Sequence, residues 1–216
     1  MSTQTSLFSP VGVDIAPEGS RPLLEKIQKS FKFIPNLFGV FANSPVLLEG
    51  YWGLEGVFEK GSLSAVERQI ILLAASVENS CKYCTAAHNT VLKAFLHVPA
   101  EVVSAVRSNL PLRDPKLNSL VVLTREIVSQ RGHAGAQTVE NFLAAGYRKD
   151  QILEVLIGVA LKTMSNYLDH SSRLNWIRRF NPRVKPWIAP IPTDGPWAGA
   201  GKSKNFESGE RKCLVA

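Results

Sequence analysis

The sequence predicts an all-α fold. Apolar residues recur at helical spacing, most plainly over 116–131, where Leu117, Leu120, Val121, Leu123, Thr124, Ile127 and Val128 form one stripe. Residues that start and stop helices stand at the segment ends: Ser44-Pro45 and Gly61 around one helix, Ser64 with Glu67 before the next, Gly146 after a later one. No alternating apolar–polar stretch of useful strand length interrupts them.

In chain order, residues 1–19 read as an extended, polar, proline-punctuated lead-in. Arg21-Pro22 opens a short amphipathic helix to about Phe31, with Leu23, Leu24 and Ile27 inward. Ile34-Pro35-Asn36 breaks it, and Leu37 to Phe41 forms an apolar helical turn. The helix opened by Ser44-Pro45 holds Tyr51, Trp52 and Phe58, which serve as core or line a pocket. The helix capped by Ser64 is apolar nearly all round from Ile70 to Ala75, so it is buried. Ser80 is expected to cap the next helix, which runs to Phe95. Helices over 99–109, 116–131 and 138–145 follow, and then the longest run, from Asp150 to about Phe180. In it Gly158 and Ala160 permit close approach of a neighbouring helix. One helical domain therefore spans 20–181. Beyond it, 182–216 is rich in proline and glycine, which cannot continue a helix, and is expected to be an extended arm with a disordered basic tail.

The 216 residues suffice for one domain with a substantial core and a tail. No apolar run reaches the length of a membrane span, and Met1 to Ser6 lack the basic-then-apolar order of a signal peptide. Three cysteines make no structural disulfide framework, which points to a reducing, cytoplasmic setting in which a close pair is catalytic or metal-binding. The net charge of +7 sits partly in Arg173, Arg178, Arg179, Arg183 and Lys185. No nucleic-acid motif accompanies it, so it reads as a solvated helix end and basic tail. Gly199-Ala200-Gly201-Lys202-Ser203 is not a phosphate-binding loop, because Pro196 stands where a glycine is required. Cys213-Leu214-Val215-Ala216 fits a prenylation signal, the one route by which a membrane enters the expectation.

The chemistry concentrates in Cys81-Lys82-Tyr83-Cys84-Thr85-Ala86-Ala87-His88. On a helix, two cysteines three apart and a histidine four further on fall within about 60° of arc. In a first helical turn the dipole and free N–H groups favour a thiolate. His88 is placed to exchange the thiol proton or to stabilise the thiolate as imidazolium. A thiolate attacks a peroxide oxygen to give a sulfenic acid, and a second thiol within reach closes a disulfide. Tyr83, between the cysteines, donates a hydrogen bond or packs. A zinc reading needs a fourth ligand, which only a distant His97, His133 or His170 could bring.

Preceded by Leu63-Ser64-Ala65-Val66-Glu67-Arg68-Gln69 and an apolar run, this Cys-x-x-Cys-x-x-x-His resembles the signature of the AhpD-like, carboxymuconolactone decarboxylase-like superfamily, most of all its peroxidase-related branch. The resemblance covers roughly 20–180 and is sharpest over 62–96. It implies an all-α AhpD-like helical bundle that forms homo-oligomers and reduces hydroperoxides without metal or organic cofactor. It further implies Cys84 as peroxidatic, Cys81 as resolving and His88 as assisting, with the disulfide reopened by a thiol reductant of unknown identity. The sequence departs from the family at one position. The family's relay glutamate lies twelve residues before the first cysteine, where this chain has Gln69, an amide that cannot act as a base. Glu67 and Glu78 are the carboxylates nearest in sequence. Asn166-Tyr167-Leu168-Asp169-His170 resembles a segment of the peroxidase-related branch, which makes Tyr167 and His170 candidates for lining the site. The alternatives are a carboxymuconolactone decarboxylase-type enzyme, which would not depend on the dithiol, and a non-catalytic oligomeric scaffold with inert thiols.

Overall fold

The computed structural model describes residues 7–172. The arm over 182–216, Cys213 and the last turns expected before Phe180 lie outside the described residues. The described chain is helical, as the periodicity predicts: α1 (Arg21–Phe31), α2 (Asn36–Phe41), α3 (Pro45–Phe58), α4 (Ala65–Glu78), α5 (Lys82–Thr90), α6 (Ala100–Arg107), α7 (Pro115–Ser129), α8 (Ala136–Ala144) and α9 (Lys149–Ser172). A 3-10 turn at Glu18–Ser20 precedes α1, and a π turn at Val91–Phe95 continues α5. The lead-in is tied to α2 by a hydrogen bond from Val11 N to Gly39 O (3.0 Å).

Helix α4 is the centre of the bundle. It packs on α5, α6, α7 and α9, while α3 lies on α9 and α8 on α7. Its apolar run explains this, since Ile70, Ile71, Leu73, Ala74 and Ala75 are each fully buried. Its start is the expected capping box, Ser64 accepting from Glu67 N and Glu67 Oε2 accepting from Ser64 N. Where α9 crosses, the absent side chain of Gly158 matters. A Cβ there would stand 2.6 Å from Ile71 Cγ2 and 3.0 Å from Phe58 Cζ. Tyr51 packs as core beside Phe38 and Phe41, with ring centroids 6.1 and 4.6 Å away. Phe58 is buried as well, and Trp52 is half-buried against Phe38.

The corner between α4 and α5 sets the cysteines, and here one expectation is corrected. Ser80 is not the cap of α5. It sits in the left-handed region (φ 57°) and ends α4 instead. Ser80 N bonds to Val77 O (2.9 Å) and Cys81 N to Ser76 O (3.0 Å), the paired bonds of a Schellman motif with serine in the usual glycine place. Cys81 is thus the last residue of one helix end and the first of the next. Its Sγ accepts the Cys84 N–H (3.4 Å) as the N-cap of α5. A serine has the stronger capping preference, but α4's carbonyls needed two N–H groups, and satisfying them moved the cap one residue on.

Candidate functional site

Cys81 and Cys84 stand one turn apart at the start of α5, both reduced and both buried. Their partners come from α9. The stripe Lys162, Ser165, Asn166 and Asp169, spaced three, one and three residues apart, lies on one face of the helix after its apolar first half. Cys84 Sγ lies 4.0 Å from Ser165 Oγ. The Asn166 side-chain amide lies close to the Cys84 sulfur, its Nδ2 making no full hydrogen bond, and Asn79 Nδ2 donates to Asn166 Oδ1 (3.0 Å), orienting that amide. Cys81 Sγ donates to Asp169 Oδ2 (3.3 Å).

The two thiols are driven apart chemically. The single Cys81 S–H, shared between Asp169 Oδ2 and the Cys84 sulfur, holds Cys84 below the usual thiol range. The Lys162 charge and the Ser165 and Asn166 side chains act in the same sense, and burial opposes them. That same shared hydrogen bond raises Cys81, with burial and the charges of Cys84 and Asp169 adding to the rise. Cys84 is therefore the more acidic of the two thiols and Cys81 the one that holds its proton more tightly.

His88 is placed differently from the expectation. Its Nδ1 lies 2.9 Å from Gln69 Oε1 and its Nε2 lies 2.9 Å from Lys162 Nζ. An ammonium has only donors, so Lys162 donates to Nε2, the ring proton sits on Nδ1, and Nδ1–H donates to Gln69 Oε1. Burial, and then the Lys162 charge, push His88 well below its ordinary range. The ring is neutral and both its nitrogens are engaged, by Gln69 and by Lys162. It does not supply the imidazolium expected from the sequence. The cation beside Cys84 is Lys162, itself 2% exposed, and His88 with Gln69 holds that lysine in place.

Neither nearby carboxylate serves as a relay. Glu67 is committed to the capping box, to the Tyr147 hydroxyl (2.9 Å) and to Lys116 (3.7 Å). Glu78 is half-buried and its charge faces Arg125. The carboxyl group in the buried array is Glu55 of α3, 6% exposed. Burial pushes it up to about 7 against the pull of Lys162. Tyr83 lies beside both cysteines and Asp169, and burial followed by their charges raises its phenol. Tyr51, although core, reaches Ser165 with its hydroxyl and feels Glu55 and Cys84. Tyr167 and His170 are exposed and line a shallow cavity of about 540 Å³ with Leu47, Met164, Leu168 and Ser171. His170 also comes to Cys81 and Asp169, with ligand atoms all within 4.8 Å of one another. No fourth ligand of this kind joins them among the described residues, and three fall short of a structural zinc site. The cluster instead surrounds Cys81 with acid–base groups.

Lys162, Glu55 and Ser165 were not picked out from the sequence, and Asn166 and Asp169 entered only as part of the 166–170 segment, without a role. A signal for four of them was present: a lysine inside an apolar run, followed by polar residues at helical spacing on the same face.

The carboxymuconolactone decarboxylase family model matches residues 48–126, a segment that holds the dithiol and His88. No curated protein matches the chain. Among solved structures, the fold resembles an uncharacterized peroxidase-related protein from Ralstonia eutropha JMP134, described as an alkylhydroperoxidase AhpD core. That likeness has a TM-score of 0.69 and 19% identity, covering 81% of this chain and 93% of that one. A peroxidase-related protein from Silicibacter sp. TM1040 has a TM-score of 0.66 and 16% identity over 80% of this chain and 94% of that one. A form of the debrominase Bmp8 in complex with 2,3,4-tribromopyrrole has a TM-score of 0.66 and 15% identity over 80% and 92%. At these identities the structures establish a shared fold.

Proposed function

We propose, from the chain's place in the AhpD-like carboxymuconolactone decarboxylase superfamily, that it is a thiol-dependent, peroxidase-like oxidoreductase reducing hydroperoxides through Cys84 and Cys81. The observation that carries this reading is the environment of Cys84, whose sulfur is met by the Cys81 thiol, Ser165, Asn166 and the Lys162 charge. Such groups stabilise a thiolate, the form that attacks peroxide.

Cys84 thiolate attacks the terminal peroxide oxygen. The O–O bond breaks, an alcohol leaves after taking a proton, and a sulfenic acid remains on Cys84. The Cys81 sulfur then attacks Cys84 Sγ. The S–S bond forms, the S–O bond breaks, and the hydroxyl leaves as water with the Cys81 proton. Asp169 Oδ2, already accepting from Cys81, is placed to take that proton during the attack and pass it to the departing hydroxyl. Lys162 supplies positive charge where the negative oxygen departs, held by the neutral His88.

The chain assembles in this reading as a homo-oligomer, which Leu153 and Leu156, exposed on the outer side of α9, support. Among the described residues no helix is long and apolar enough to cross a membrane, in keeping with a cytoplasmic enzyme.

The test is iodoacetamide alkylation of each cysteine as a function of pH, followed by mass spectrometry before and after one equivalent of hydroperoxide. Cys84 is expected to react with an apparent pKa below the free value of about 8.5, and peroxide to yield a Cys81–Cys84 disulfide. Two thiols that titrate normally and stay reduced would sink the proposal. Turnover that survives Cys84→Ser would turn the assignment toward decarboxylase-type chemistry.

A further inference from the structure

A second cavity, of about 650 Å³, opens between the start of α5 and the end of α6. Cys81 is part of its wall and Cys84 is not among the residues lining it. Lys82 and Arg107 face it, with the hydroxyls of Thr85 and Ser104, and no carboxylate belongs to its lining. We infer that this cavity is where the oxidised dithiol is recharged, by a low-molecular-weight thiol carrying a carboxylate or similar anionic group that attacks Cys81 Sγ. The inference rests on the redox reading above and adds the class of reductant and the sulfur it strikes.

Position, charge and chemistry agree. The cavity falls within the usual range for small-ligand sites, about 300–1,000 Å³. An arginine fork and a lysine suit an anionic group, and surrounding hydroxyls can share it. The cysteine in the wall such a ligand meets is Cys81. Thiol–disulfide exchange runs fastest when the displaced sulfur is the better leaving group. Here the displaced sulfur is Cys84, whose thiolate the Lys162 charge, Ser165 and Asn166 support. In the first step the reductant thiolate bonds to Cys81 Sγ, the Cys81–Cys84 bond breaks, and Cys84 leaves as thiolate. In the second, another reductant thiolate attacks the reductant sulfur of the mixed disulfide. The oxidised reductant departs as its own disulfide, and Cys81 takes one proton from water and donates again to Asp169. Two thiolates and one proton are consumed, and one Cys84 thiolate remains.

The experiment uses the full chain with its disulfide closed by diamide, which does not depend on the peroxide reaction. Return of the protein thiols is followed with mercaptopropionate, mercaptoethanol and cysteamine, with each rate expressed per thiolate. The anionic thiol is expected to be about ten-fold faster than the neutral one at low salt, with the cationic thiol slowest. The advantage should fade as salt is added. In the Lys82→Gln/Arg107→Gln double variant, both sites being exposed, the anionic-to-neutral ratio should fall to near one. In Cys84→Ser, dithiodipropionate should leave its half on Cys81. Equal rates for the three thiols, or a ratio unmoved in the double variant, overturn the inference. So does reduction by a thioredoxin-type protein that outpaces every small thiol by orders of magnitude. If peroxide fails to close the disulfide but diamide succeeds, the proposed function falls while the thiol preference is still read. If diamide also fails, both fall.

Discussion

One helical turn separates two surroundings for the same residue type. At the start of α5, Cys81 borders a cavity, donates to Asp169 and has His170 close by. Just inside, Cys84 faces the Lys162 charge, two neutral hydrogen-bonding side chains and the aromatic core. The outer thiol keeps its proton because a carboxylate and a second sulfur share it. The inner one is the more acidic because the outer thiol hydrogen-bonds to it, with a cation and polar side chains adding to that against burial. The dithiol spacing supplies the hydrogen bond the two sulfurs share, and partners on α9 fix which of them it favours.

The contrast can be broken at several points, beginning with the buried side. Glu55 is raised to about 7 by burial, so between about 4.5 and 7 the folded chain binds more protons than the unfolded one. Stability is then fully present below about 4.5 and declines as pH rises toward 7, by up to about 3 kcal/mol for this shift. Glu55→Gln should flatten that decline, read as the difference between wild-type and variant urea midpoints across pH. Next in size, Lys162→Met removes the cation beside Cys84. Alkylation of Cys84 at pH 7 should slow by about ten-fold or more, one pKa unit being about 1.4 kcal/mol. An unchanged Cys84 rate would return the activating role to the helix terminus. Asp169→Asn tests the other sulfur. With a negative neighbour gone, Cys81 should ionise more readily and alkylate about three-fold faster at pH 8, while disulfide closure after peroxide slows. The smallest effect is expected at the corner that delivers Cys81. Ser80→Gly relieves a left-handed φ of 57° and should stabilise the fold by about 0.5–1 kcal/mol, measured by denaturant unfolding.

Much of this was readable before the fold. Helix positions followed from period and punctuation: Ser44 before α3, the Ser64–Glu67 box before α4 and the apolar stripe of α7. The Cys-x-x-Cys-x-x-x-His segment identified which turn to look at, and its resemblance narrowed the all-α class to an AhpD-like bundle. The corner at Ser80 was misread because capping preference was weighed without the two N–H groups that α4's end required. His88 was given a role by proximity along the helix, which cannot report that Lys162, 74 residues later, meets its Nε2.

The sequence by itself determined the helices, their buried stripes and the placing of two thiols and an imidazole on one face, because these depend on local periodicity and on caps made by neighbours in the chain. Only the tertiary structure decided which thiol is the more acidic, that His88 is neutral, and that a lysine and a distant glutamic acid share its buried array. Proton affinity depends on burial and on charges within a few ångströms, and those are set by how α9 and α3 lie across α4 and α5, a relation that no local pattern encodes.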